Sequence, residues 1–530
     1  MMEETTPDLK TNTAFTALLF LFIGIAIYLS QVYLYYPFTV DDAFISFRYA
    51  DNLASGHGLV FNPGERVEGF TNLLFVLLEA GAIRMGMGPE TFVKILSIFA
   101  GLIIIFLTFH FNSLCRQGSN KNVLASLMLA GTGSFALAAV NGLETMVFSL
   151  CLVLSLILIS RGVRKKGHYP YSAALLLGVT TWLRPEGFLC FFIFVFYLLI
   201  RRDLLRNHLR QHLLWIGLFL LTTLPLLCWR YAYYGFPVPN TFYARMPSGV
   251  HPDILLEGIK YSVKFLLRSG IVLPLLLLLS LRTLRGSRIP VSITLSAWFL
   301  ICFTVYIIYS GGDWIPFDRF FIPLLPPLFI LATAGFQAMK GRLRRTFIAC
   351  IILFFAFSLF ASCYNLSYIL MRAKGYEYAH ACIGRWLHSH ADEGDTAAMM
   401  DVGMVGFLSG TRILDLSGLT DRKIAFDRYH HRTFDLDDFF NREPEYVVLI
   451  SGNSRGVPQE GNAWPVNDRI LRDSRLKERY ELLFYRNHYR YASDEALYWK
   501  VKNLVQRLSP ASLVHDRTRD YYLLVYRRKG

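Results

Sequence analysis

The stretch TAFTALLFLFIGIAIYLSQVYLYYPFTVDDAFISFRYADN, residues 13–52, decides the fold. Its first half is an apolar run long enough to cross a bilayer, for which about 20 residues suffice. Its second half places two adjacent carboxylates, Asp41 and Asp42, at the edge of that run. Phe44, Phe47, Ala50 and Leu53 then recur at helical spacing. Asp41 is expected to cap this helix and Asp42 to sit at the positive end of its dipole. Adjacent helical residues do not share a face, so one aspartate can cap while the other points into a site.

The rest of the chain repeats the apolar theme. Of 530 residues 54% are hydrophobic, 15% aromatic and only 18% charged, and the mean hydropathy is +0.37. This composition places the chain in a lipid bilayer rather than in solution. The net charge of +15 does not point to nucleic acid, because the basic residues fall in short clusters between apolar runs instead of along one face. Cys115, Cys151, Cys190, Cys228, Cys302 and Cys350 lie in or beside apolar runs without metal-ligand spacing and read as small hydrophobes. The first run follows an acidic tail and lacks a small-residue cleavage site, so it is expected to stay as an anchor.

Runs of spanning character lie near 13–34, 91–114, 122–140, 145–160, 171–184, 187–201, 213–229, 264–281, 290–309, 319–339 and 346–366. That predicts about 11 transmembrane helices. The clusters RQGSNK, RGVRKKGH, RRDLLRNHLRQH, LRTLRGSR and KGRLRR occupy alternate connections. By the positive-inside rule they are cytoplasmic, with the N-terminus inside and the C-terminus outside. The segment 69–88 is apolar but holds Glu79 and Arg84. Counting it as a span would reverse every later basic loop, so it is expected to be an interfacial or re-entrant helix in a first external loop at about 35–90. From about residue 370 charges come every few residues, which divides the chain into a membrane domain, 1–369, and a soluble α/β domain, 370–530. There TAAMMDVG, RILDLSG, EYVVLISG and DYYLLVYR read as strands, and YEYAHACIGRWLHSH and DEALYWKVKNLVQRL as helices.

The loops opposite the basic ones carry the unusual polar sequence: TVDDAF with EGFTN, NGLET, WLRPEG, PNTFYAR and GGDWIPFDRF. Each has a structural reading. Arg184 can pair with Glu186, Asp318 can neutralise Arg319, Glu144 suits a helix N-terminus and Trp314 an interfacial belt. Asp401, Asp415 and Asp421 of the C-terminal domain either bind acceptor glycan or serve turns, where aspartate commonly bonds its own backbone. Taken together on one face, carboxylates, arginines and aromatics suit a lipid-phosphate-linked sugar. Arginines bind the phosphate and stabilise its charge as it leaves, a carboxylate deprotonates the acceptor hydroxyl, and rings stack on sugars.

These motifs, in this order, resemble the GT-C glycosyltransferases, and among them the terminal arabinofuranosyltransferase family of mycobacteria and its bacterial relatives, some labelled flagellar motor control proteins. The likeness runs over about residues 30–425. It implies a multi-pass inner-membrane enzyme of GT-C fold, with an extracytoplasmic C-terminal domain. Such an enzyme transfers a sugar, a pentose such as arabinofuranose by precedent, from a polyprenyl phosphate to an envelope glycan or glycolipid. Carried over, Asp41 is the first choice as catalytic carboxylate, with Asp42 orienting the acceptor or ligating an optional divalent cation. Arg184, Arg245 and Arg319 become donor-phosphate ligands, and Glu68, Glu186, Asn240, Tyr243, Asp313 and Trp314 pocket residues. Relatives often have Lys where this chain has Arg245, which keeps the charge and changes its geometry. A transporter of lipid-linked sugars and a non-catalytic glycan-binding envelope protein are the competing expectations. The stereochemical outcome stays open.

Overall fold

The computed structural model describes residues 7–115, 121–245, 252–268, 272–284, 289–313, 315, 317–458, 464–490 and 521–530, with side chains from residue 15. The chain divides into two compact units. The helical unit takes Met1–Tyr36, Val93–Leu226 and Val250–Cys363. The sheet unit takes Pro37–Phe92, Leu227–Gly249 and Tyr364–Gly530.

Among the described residues, seven helical stretches are long and apolar enough to cross a membrane, and an eighth results if Pro252–Arg268 and Val272–Leu284 form one bent span. Tyr171–Leu183 and Glu186–Ile200 are shorter apolar helices. This is a polytopic α-helical membrane protein with a small sheet domain at its C-terminal end. The expected run 122–140 is not one helix: it breaks into Val123–Ala130 and Gly133–Ala138. The run expected at 264–281 is not one helix: it falls across Pro252–Arg268, an amphipathic helix whose polar face masks it from a hydropathy scan, and Val272–Leu284, bent from it by 84°. Leu73–Arg84, inside the ambiguous segment 69–88, has 12 residues and belongs to the sheet unit. At 1.5 Å per residue it reaches only about 18 Å, short of the hydrocarbon thickness.

Within the helical unit, small residues and side-chain donors join the helices, as expected where lipid offers no competing hydrogen bonds. A Cβ on Gly101 would lie 2.6 Å from Tyr28 Cζ, so only glycine lets these two helices approach so closely. Gln31 Nε2 donates to the Ala130 carbonyl at 2.9 Å, Trp182 Nε1 to Thr222 at 3.0 Å and Trp298 Nε1 to Ile193 at 3.0 Å.

The sheet unit holds five strands, β1 Thr396–Met399, β2 Arg412–Asp415, β3 Tyr446–Ser451, β4 Tyr480–Asn487 and β5 Tyr522–Arg528, in the order β2-β1-β3-β5-β4. The strands β2, β1 and β3 are parallel, while β5 runs antiparallel to β3 and β4. Every residue of β3 is buried, which is why YVVLIS lacks polar alternation. Phe439, Phe440, Ile470, Leu471 and Tyr480 complete the core around it. The strand β4 was not expected from sequence. Its residues YELLFYRN lie at the sheet edge, mostly outside the core, so charges interrupt the pattern that marks a buried strand. The expected helix 376–390 is present but continues Gly341–Gly375 through a π turn, Tyr376–Ala381, into Cys382–His390. The expected helix DEALYWKVKNLVQRL lies outside the described residues.

Candidate functional site

The helix Asp41–Ala54 starts with Val40 at its N-cap position and no side-chain cap. The capping role expected of Asp41 is therefore corrected: its carboxylate caps a different helix, Met404–Ser409, distant in sequence. Oδ2 accepts the Gly403 N–H at 3.0 Å and Oδ1 the Met404 N–H at 2.8 Å. A Cβ on Gly403 would fall 2.6 Å from Asp41 Oδ2, so the approach requires glycine. Burial pushes Asp41 up to about 6, and the charge of Asp401 adds to the rise. Asp401 accepts from His380 Nε2 at 2.9 Å and from the Tyr521 hydroxyl. Burial would raise it too, but those bonds and the His380 charge hold it below the ordinary carboxylate range.

Asp42, one residue on, is the accessible member of the doublet. Its side chain is 18% exposed and accepts from Arg245 Nη2 at 3.1 Å, and the Arg245 side chain is 44% exposed. Arg245 ends the short helix Asn240–Arg245, whose first residue is fixed from both sides. Asn240 N–H donates to the Glu68 carbonyl at 3.0 Å, and Nδ2 donates to Gly418 and Leu419 carbonyls at 2.9 and 3.0 Å. Glu68 itself forms a buried ion pair with Arg230 Nε at 2.8 Å. Burial pushes the Glu68 carboxyl up to about 7 while the Arg230 charge pulls against it. Tyr243 stacks on Phe426, with centroids 4.5 Å apart. A cleft of about 500 Å³ opens where Thr39, Phe44, Glu90, Lys374 and Tyr376 meet Met404, whose N–H holds Asp41.

Arg48 was not singled out from sequence. It lies buried on the same helix as the doublet and donates to the carbonyls of Phe61 at 2.8 Å, Gly406 at 2.6 Å and Thr411 at 2.6 Å, and to Asn62 Oδ1 at 3.2 Å. Its only sequence signal is a lone cation on an otherwise apolar helix face.

The helical unit holds the other predicted residues. Arg184 is clamped between Glu144, 2.7 Å, and Glu186, 2.8 Å, with the Tyr306 hydroxyl donating to Glu186 at 3.3 Å. Its guanidinium lies over the Phe148 and Phe320 rings at 5.7 and 5.5 Å. Arg319 also lies 5.5 Å from the Phe320 ring, so both guanidinium groups flank one aromatic. The Arg184–Glu186 pair expected from WLRPEG is present, and Glu144 as its second partner is new. The expected Asp318–Arg319 pair does not form. Arg319 Nε bonds Asp313 at 2.6 Å, while Asp318, at φ 60°, turns to Arg268 at 2.9 Å. Trp314 lies outside the described residues.

The predicted residues thus fall into two groups. Asp41, Asp42, Glu68, Asn240, Tyr243 and Arg245 belong to the sheet unit, and Arg184, Glu186, Asp313 and Arg319 to the helical unit. Each of the three arginines expected to bind phosphate is already opposite a carboxylate. In the C-terminal domain, Asp415 receives the Ser417, Gly418 and Thr420 amides and Asp421 caps the helix Arg422–Tyr429, both as turn and cap residues do, whereas Asp401 bonds His380 and Tyr521. Among the described residues no three His, Cys, Asp or Glu side chains are grouped to hold a metal ion.

Residues 369–524 match a family model described as a domain of unknown function (DUF8728). No curated protein matches the sequence. Among solved structures, ArnT from Cupriavidus metallidurans bound to undecaprenyl phosphate superposes with a TM-score of 0.57 at 14% identity, over 82% of this chain and 92% of that one. The apo state of the same ArnT gives 0.57 at 13% identity, over 83% and 93%. At such identities the likeness is one of fold, and the fold is GT-C.

Proposed function

We propose that this protein is an integral-membrane glycosyltransferase that takes its sugar from a polyprenyl phosphate. The observation that carries the reading is the half-exposed Asp42–Arg245 pair on a GT-C fold, an arrangement that joins a base and a phosphate ligand. The solved ArnT is titled as bound to undecaprenyl phosphate, which supports a donor of that class.

In this reading the acceptor hydroxyl gives its proton to an Asp42 oxygen while its own oxygen bonds the anomeric carbon. The bond from that carbon to the phosphate oxygen breaks, and polyprenyl phosphate leaves with the electron pair. Arg245 then exchanges Asp42 for the phosphate, so one guanidinium holds the base before donor binding and the leaving group after it. Arg184 and Arg319, in the helical unit, stay donor-phosphate candidates by the resemblance, each now opposite a carboxylate. Asp41, whose two oxygens already accept backbone amides, holds the doublet in place, and its neighbour does the chemistry. Glu68, Asn240 and Tyr243 are the pocket residues of the sheet unit, while Glu186 and Asp313 hold Arg184 and Arg319 in the helical unit. The transferred sugar is a pentose such as arabinofuranose and the acceptor an envelope glycan or glycolipid. The site faces the extracytoplasmic side of a bacterial inner membrane, with the domain beyond residue 370 on that side.

The test is a proteoliposome assay with synthetic polyprenyl-phosphate sugars that follows release of polyprenyl phosphate. Release with a matched sugar is expected. Movement of the intact lipid across the bilayer with no release from any donor would sink the transferase reading.

A further inference from the structure

Five aromatic rings gather at the surface of the sheet unit where the helix Asn240–Arg245 meets the helix Arg422–Tyr429. Tyr243 lies nearly parallel to Phe426, 4.5 Å between centroids and 22° between planes. Tyr429 meets Tyr243 edge-on at 5.3 Å, Phe236 packs on Phe426 at 5.4 Å, and Phe242 reaches Tyr429 at 6.3 Å. None is buried, and Phe242 is 43% exposed. Arg422 lies 4.7 Å over the Phe236 ring. The same short helix that carries Phe242 and Tyr243 ends in Arg245, bonded to Asp42.

A monomeric soluble surface seldom gathers so much aromatic area, and such patches mark sites of interaction. A belt at the membrane surface would be the plain alternative for Phe242, since it follows soon after the span that ends at Tyr234. It does not account for Phe426 and Tyr429. They sit on RKIAFDRY, an otherwise polar helix that follows strand β2 and is tied to it through the Asp415 turn. Flat, part-exposed rings bordered by guanidinium groups offer apolar faces for the C–H faces of sugars and donors for their hydroxyl groups.

We infer that this platform is an acceptor subsite for a saccharide chain, with Phe426, Tyr429 and Phe242 stacking sugar units that lead a terminal hydroxyl to Asp42. The inference rests on the transferase reading and names the acceptor as a glycan that the C-terminal domain itself grips. Phe426 and Tyr429 then determine acceptor specificity.

The experiment uses the full chain in lipid nanodiscs and an array of immobilised arabinan, galactan and mannan oligosaccharides, without donor. Retention of at least one oligosaccharide is expected. Phe426→Ala and Tyr429→Ala are each expected to weaken it about fivefold to tenfold, while Tyr429→Phe keeps most of it. Phe426→Leu serves as the second variant if the alanine form does not fold. No retention of any oligosaccharide, or equal retention by folded variants, overturns the inference. So does loss of liposome insertion with glycan binding unchanged, which would assign the rings to the lipid surface. Release of polyprenyl phosphate, measured in the same preparations, separates the two readings. Release by the wild type with an unchanged acceptor KM in Tyr429→Ala removes the platform alone, whereas retention without release from any donor keeps glycan binding and removes the transferase.

Discussion

Replacing each aspartate of the doublet by asparagine should give opposite signatures. In Asp41→Asn the carboxamide offers one oxygen where two amides, Gly403 and Met404, now donate. One buried N–H is left facing an NH2 group, which costs about 1–3 kcal/mol. At about 2–4 °C per kcal/mol for a unit of this size, the melting temperature should fall by several degrees. In Asp42→Asn the loss is a half-exposed ion pair with Arg245, worth about 0–1 kcal/mol, so melting should hardly change. Removal of the proposed base should instead lower kcat by about 10²–10⁴. The assay pairs thermal melting in detergent with sugar transfer in proteoliposomes. An Asp41→Asn protein that melts like wild type yet transfers no sugar would refute this division of labour, as would undiminished transfer by Asp42→Asn.

Three more outcomes are expected. Asp41 is held up to about 6 against an ordinary 3.8, so its stabilising contribution is full below about pH 4 and is lost as pH rises through about 6. The difference in melting temperature between wild type and Asp41→Asn, scanned from pH 4 to 8, should narrow as pH rises. Arg184→Met removes the cation shared by the buried Glu144 and Glu186 and should cost about 3–5 kcal/mol, read as loss of monodisperse protein on heating; adding Glu144→Gln should recover part of it. Arg48→Met removes a buried donor to three backbone carbonyls, of which Phe61 keeps Asn52 Nδ2 and Gly406 keeps Ser409 Oγ, and should destabilise the sheet unit by about 1–3 kcal/mol, seen as new cleavage near residues 55–65 and 400–412 in limited proteolysis.

The long membrane helices were legible because long apolar runs are a strong, local signal, although the expected 11 spans exceed the seven or eight found among the described residues. Amphipathic Pro252–Arg268 and the edge strand β4 were not, since each mixes charge into its pattern for reasons set by neighbours rather than by the element itself. The site was legible as residue types but not as partnerships. LRPEG announces Arg184 with Glu186, yet Glu144, 40 positions earlier, carries no mark of belonging to the same clamp. Asp318 and Arg319 are adjacent in sequence and part company because backbone at φ 60° sends their side chains to different partners. The doublet was the reverse case: local rules assigned Asp41 to its own helix, and a glycine-permitted approach gave it to another.

Arg48 and Asp41 have a consequence for how the protein is made. Arg48 finds Phe61 and Asn62 nearby, but its other partners Gly406 and Thr411, and the Gly403 and Met404 amides that hold Asp41, lie 358 to 363 positions downstream. At about 5–20 residues per second, roughly 20–70 s of translation separates each charge from the backbone that will receive it. Throughout that interval the segment after the first span holds a cation and an anion intended for a dry interior. A chain that terminates before residue 403 lacks both amides that receive Asp41 and two of the acceptors that receive Arg48. The segment that follows the first span therefore completes its bonding only after residues 403–411 have been made, so its two buried charges are among the last to be satisfied.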